Sequence, residues 1–93
     1  MSVRSEVDII GQVIEERKRQ DEKWGPQDHT PHYWLSILLE EAGEAAKAMI
    51  ADTVDWQKYR KELVQVAAVA VAAVENLDAQ IMAGSLPKEL FPR

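Results

Sequence analysis

The stretch at residues 63–74, LVQVAAVAVAAV, constrains this chain more than any other part of it. Placed on a helix at 100° per residue, its apolar side chains point in nearly every direction instead of along one stripe, and a helix apolar all round has to be covered all round. The alternation in Val64-Gln65-Val66 and Val69-Ala70-Val71 is strand-like, but the interspersed alanines and the lack of any turn signal favour helix. At about twelve residues the run is too short for a membrane span, which needs about 20, and has the length of a buried core helix.

Glycine and proline divide the rest. Gly25-Pro26 and Pro31 form one cluster, Gly84 and Pro87 another, and Pro92 lies near the end. A first helix is expected over about residues 5–24, with Val3, Val7, Ile10 and Ile14 at helical spacing and Ser5 with Asp8 resembling a capping box. Thr30-Pro31 reads as an N-cap followed by proline at the first helical position, opening a second helix to about residue 51. Asp52 or Thr53 is the expected cap of a third helix, which runs to about residue 83 with Gly84 at its C′ position. The fold class is therefore all-α: three main helices and a short C-terminal tail, in one domain over residues 1–93.

Two helices of about twenty residues cannot enclose one of about thirty on all sides, given a rise of about 1.5 Å per residue. A chain this short buries only about 60–68% of its unfolded surface. Completion of the bundle by homo-oligomerisation, as a dimer or tetramer, is the simplest solution, with alanines allowing close helix approach.

Composition removes several function classes. No cysteine is present, which excludes disulfides, thiol nucleophiles and thiolate metal sites. Sixteen acids against eleven bases give a net charge of −5, unfavourable for a nucleic-acid polymer. The densest basic stretch, Arg17-Lys18-Arg19, is flanked by Glu15, Glu16, Asp21 and Glu22 and reads as a solvated mixed face. Met1 to Glu6 contain no apolar run of the secretory kind, so a cytoplasmic location is expected, with no membrane partner.

The chemistry gathers at Glu40-Glu41-Ala42-Gly43-Glu44. With Glu40 at 0°, Glu44 falls at about 40° and Glu41 at about 100°. Ile37, Ala48, Trp34, Ala45 and Leu38 occupy about 60–160°, so Glu41 lies inside the apolar arc. A carboxylate there is expensive to bury unless it is paired or bound to a metal. Lys47, at about 340°, can serve Glu40 or Glu44 but hardly Glu41. On the third helix Glu62 shares its face with Val66, Val69 and Ala73, and Gln65 follows about one turn later. Such oxygen-only, carboxylate-rich sites suit Mg²⁺ or Mn²⁺. A di-iron bundle site would need Glu-x-x-His pairs, and neither His29 nor His32 follows a glutamate by three.

Glu40-Glu41-x-x-Glu44 followed by Glu62-x-x-Gln65 resembles the E-E-x-x-E…E-x-x-D signature of the all-α nucleoside triphosphate pyrophosphatases, the MazG-like superfamily. The segment Trp24-Gly25-Pro26-Gln27-Asp28-His29-Thr30-Pro31 is similar to the tryptophan–histidine–proline segment ahead of the metal helix in the dCTPase-like branch. The resemblance spans about residues 15–78. It implies hydrolysis of a nucleoside or deoxynucleoside triphosphate to the monophosphate and pyrophosphate, with Mg²⁺ as cofactor. By that resemblance Glu41, Glu44 and Glu62 are the core metal ligands, and Glu40 holds a second metal or orients the attacking water. Trp24 and His29 lie near the base, and Lys23 and Lys47 are candidates for phosphate contacts. Gln65 departs from the pattern, which has Asp there, and a neutral amide should weaken Mg²⁺ binding. Glu75-x-x-Asp78 repeats the E-x-x-D spacing but lies about 220° and 160° from Glu62, so it does not substitute. The competing expectation is a non-catalytic helical interaction module, or a relative that has lost turnover through Gln65.

Overall fold

The computed structural model describes residues 6–87, and these form three helices with no strand among them: α1 (Glu6–Trp24), α2 (Pro31–Met49) and α3 (Trp56–Ala83). Val3, the Ser5 end of the expected capping box and Pro92 lie outside the described residues.

Each helix boundary has a local cause. Gly25 adopts φ 72° and its N–H bonds to the carbonyl of Asp21 at 2.8 Å, so the chain leaves α1 through a left-handed residue that only glycine adopts without cost. Thr30 caps α2 in extended conformation, its Oγ1 accepting the Tyr33 N–H at 3.2 Å, with Pro31 next. α2 stops at Met49, about two residues earlier than the sequence suggests. Neither Asp52 nor Thr53 caps α3. Asp55 does: its Oδ1 accepts the backbone N–H groups of both Gln57 and Lys58 at 3.1 Å. One carboxylate thus satisfies two of the orphan donors at the helix start, which no residue further upstream can reach. Gly84, at φ 65°, closes α3 through its N–H to the carbonyls of Gln80 and Ile81.

α3 is the spine. α1 and α2 each pack on it and not on one another. Trp34 of α2 meets Asn76, and Glu41 meets the field of Glu62, so α2 runs antiparallel to α3. Gln12 and Glu16 lie beside Gln57 and Lys61, whereas Trp24 faces Ala72, so α1 runs parallel to α3.

The core is thin. Trp34, Val69 and Ala72 form its centre, with Ile37, Leu38 and Ala73 packed against them, and Ala45, Ala48 and Ala68 are the other buried apolar residues. The radius of gyration is 15.9 Å, against about 12.3 Å for a compact chain of this length. By length and composition α3 also passes the test for a membrane-spanning helix, with a mean hydropathy of 1.4 in its most apolar window. The core helix of a soluble protein passes the same test.

The cap assignment is directly testable. Asp55→Ala should cost about 0.5–2 kcal/mol of stability by thermal denaturation. Asp52→Ala and Thr53→Ala should each stay within about 0.5 kcal/mol of the parent, as surface changes away from structural features usually do.

Candidate functional site

Because α1 and α2 flank α3 without touching, a cleft opens between them with Val69 and Ala72 of α3 as its floor. Its volume is about 220 Å³. Arg17, Gln20 and Trp24 line it from α1, Trp34, Ile37, Glu40 and Glu41 from α2, and Gln27 from the connecting loop. Past Arg17, Gln27, Trp34 and Ala72 it continues into a second hollow of about 400 Å³. Together these approach the size range of small-molecule sites.

The Trp34 wall is fixed by Asn76. The Asn76 Oδ1 accepts the Trp34 Nε1–H at 2.7 Å and the His29 backbone N–H at 2.9 Å, and its Nδ2 donates to Asp28 at 3.1 Å. Gln80 adds a bond from Nε2 to the His29 carbonyl at 2.6 Å. Bonds from Asn76 and Gln80 hold the Asp28 carboxyl below the usual carboxylate range. The loop between α1 and α2 is thereby clamped to α3.

The electrostatics centre on Glu41. Burial raises its pKa first, and the carboxylates of Glu62, Glu40, Glu44 and Glu16 raise it further. Three helices therefore direct negative charge at one half-buried group. Glu16, from α1, is held in the opposite sense: Arg19 binds it in a fork at 2.9 and 2.6 Å, which lowers its pKa despite partial burial. Gln20, almost fully buried, donates to Glu16 at 3.3 Å and accepts from Arg17 at 3.3 Å. Arg17 also pairs with Asp21 at 3.0 Å, and its Nε lies 3.5 Å from Glu75 without hydrogen-bond geometry.

Of the site residues expected from sequence, Trp24, Glu40 and Glu41 come together in the cleft, and Glu44 and Glu62 act on Glu41 through their charge. Lys47 pairs with Glu44 at 3.7 Å, and the Lys23 ammonium sits 4.9 Å from the Trp24 ring centroid. His29 is not among the cleft-lining residues. Its ring bonds Gln27 at 2.8 Å and packs edge-on against Trp34 at 5.1 Å. Gln65 is half-buried on α3 and does not line the cleft.

The donor set is all oxygen and strongly anionic, which is the chemistry a hard divalent cation requires. Among the described residues, however, no three acids or histidines are grouped as a metal shell. Glu16 is committed to Arg19 and Glu44 to Lys47, so side-chain rotation would have to accompany binding.

Sequence reasoning missed the α1 contribution of Arg17, Glu16 and Gln20. The i,i+4 spacing of Glu16 and Gln20 was a visible signal, but the mixed charges around them read as a solvated face. Asn76 carries no sequence signal at all.

The state of Glu41 predicts a pH-dependent penalty. Its folded pKa is raised, so the folded state prefers the protonated form. No penalty exists below the unfolded carboxylate pKa, about 4.3, and the penalty grows as pH rises through and above it. Without divalent ions, Glu41→Gln should melt above the parent at neutral pH. The gap should close near pH 4 by thermal denaturation. Comparison of the chain with protein-family models, with curated proteins and with solved structures finds no match.

Proposed function

We propose that this chain is a Mg²⁺-dependent nucleoside or deoxynucleoside triphosphate pyrophosphohydrolase of the MazG-like, all-α kind. The observation that carries the proposal is Glu41: a half-buried carboxyl at an aromatic-walled cleft, surrounded by the charges of Glu40, Glu44, Glu62 and Glu16. Such an arrangement costs stability unless a cation offsets it. The signature to which Glu40, Glu41, Glu44 and Glu62 conform supplies the reaction class.

In this reading Glu41, Glu44 and Glu62 would hold the cation, with Glu44 turned from Lys47. Mg²⁺ supplies charge neutralisation of the phosphates and a more acidic bound water. Glu40, the exposed carboxylate at the cleft, orients the water that attacks the α-phosphorus and receives its proton. The bond between the α-phosphorus and the bridging oxygen breaks, leaving the monophosphate and pyrophosphate. Trp24, half exposed at the cleft, is the face on which a base can stack, and stacking on an aromatic face tolerates different bases. Lys23 and Lys47 are the candidates for phosphate contacts. His29, bonded to the cleft-lining Gln27 and packed on Trp34, stays near the base. The enzyme acts on free nucleotides in the cytoplasm, as a homo-oligomer whose second copy completes the thin core.

Two observations favour a second reading. Among the described residues the acids are not grouped as a shell, and Gln65 stands where the signature has Asp, as in a helical interaction module or a relative without turnover.

A panel of common and modified triphosphates, assayed with Mg²⁺ and Mn²⁺, separates the two. Pyrophosphate release from at least one triphosphate is expected, falling at least about 100-fold in Glu41→Gln, beyond the loss typical of an outer-shell partner. No release from any triphosphate at high enzyme concentration would decide for the non-catalytic reading. Gln65→Asp should tighten Mg²⁺ binding in calorimetry, and unchanged affinity would place Gln65 outside the metal's ligands.

A further inference from the structure

The two hollows differ in their lining, and Arg17 stands where they join. Glu40 and Glu41 line the first and not the second, whereas Asp21, Pro26 and Glu75 line the second and not the first. Arg17 lines both, and among the described residues no other lysine or arginine lines either. Its side chain is only 15% exposed.

The guanidinium is held loosely. Its Nη2 donates to Asp21 at 3.0 Å and its Nη1 to Gln20 at 3.3 Å, while the buried Nε–H has no hydrogen-bond partner. An arginine carries more N–H donors than these two bonds use, and a buried donor left unpaired costs stability. A ligand that brought acceptors to this group would offset that cost. Other polar groups of the second hollow are already committed: the Asn76 amide to Trp34, His29 and Asp28, and the Gln27 Oε1 to the His29 ring.

A phosphate is a poor occupant here, because it would lie against the carboxylates of Asp21 and Glu75, 3.0 and 3.5 Å from the Arg17 nitrogens. On the proposed function the phosphates belong beside Glu40 and Glu41, so the neutral base is the end of the ligand that reaches Arg17. The planar guanidinium presents parallel donors, and the carboxylates next to it present an acceptor. The order donor, donor, acceptor complements acceptor, acceptor, donor. Guanine carries that order along N7, O6 and N1–H, and cytosine along O2, N3 and N4–H. Adenine (N7, N6–H, N1) and thymine (O4, N3–H, O2) both run acceptor, donor, acceptor.

We propose that Arg17 is the residue that selects the base, favouring, with Asp21 and Glu75, guanine and cytosine nucleotides over those of adenine and thymine. This rests on the nucleotide reading of the cleft but not on turnover, since a base can be read without hydrolysis.

Deoxynucleoside monophosphates, which a pyrophosphohydrolase releases and does not consume, report on base reading alone. Titrated into the parent by calorimetry with Mg²⁺, dGMP and dCMP should bind at least about tenfold more tightly than dAMP and dTMP, the discrimination that one bidentate pair supplies. Arg17→Lys keeps the charge and loses the fork, and should reduce that preference below about threefold. A merely structural role would weaken all four nucleotides together and leave their ratios as in the parent. Should Arg17→Lys lose its helical circular dichroism, Arg17→Gln takes its place: an amide offers one donor and one acceptor, matches the N6–H and N7 edge of adenine, and should move the preference toward dAMP. Equal binding of the four by the parent, no binding of any, or a preference for dGMP and dCMP that survives both substitutions would overturn the proposal. The hydrolase reading fails separately. No pyrophosphate release from any triphosphate, alongside an intact preference among the monophosphates, would retire turnover and uphold the role of Arg17. Release from triphosphates with equal monophosphate affinities would do the reverse.

Discussion

Everything in this molecule depends on α3 being a shared partner. α1 and α2 each pack on the same central helix, α2 burying Trp34, Ala45 and Ala48 and α1 burying Gln20, with no close backbone approach between the two. That constraint has two consequences. The gap between the flanking helices becomes a cleft floored by Val69 and Ala72, and the third side of α3 is left uncovered. A helix apolar all round thus produces both the hollow and an uncovered apolar face.

The position of Glu41 turns that hollow into a chemical site. Its place inside the apolar arc of α2 brings it to the cleft wall, where burial and four neighbouring carboxylates act on it. Arg19 stabilises Glu16 and Lys47 approaches Glu44, but Glu41 itself has no ion-pair partner among the described residues. Nothing in a merely solvated helix face would require so much like charge at one half-buried point. On the proposed reading, negative charge that repels a nucleic-acid polymer would become, with a divalent cation bound, a means of holding one small phosphate ligand.

Much of this was legible in the residues. Proline at the start of α2, glycine after α1 and α3, and the periodicity between them fix the three helices to within a few residues. The arc shared by Glu41 and the apolar residues follows from counting alone. The cap of α3 was not legible in the same way. Asp52, Thr53 and Asp55 are all competent caps by residue type, and only the path of the preceding loop puts the Asp55 carboxylate on the N–H groups of Gln57 and Lys58. The α1 wall of the cleft was missed for a similar reason. Arg17, Gln20 and Glu16 sit in a sequence context of alternating charge, and tertiary packing alone turns that face inward. Trp34 was read as core, and it is; that its indole N–H is held by Asn76, forming a wall of the cleft, depends on a contact between distant parts of the chain.

The central claim is that the carboxylates around Glu41 are a cation site. Thermal denaturation of the parent and of Glu41→Gln across a Mg²⁺ titration tests it without reference to any substrate. A ligand that binds only the folded state stabilises it by RT ln(1 + [L]/Kd), so the midpoint of the parent should climb with the logarithm of Mg²⁺ concentration above Kd. The Glu41→Gln midpoint should start higher and stay flat. A parent midpoint indifferent to Mg²⁺, or an equal climb in both proteins, would contradict the account.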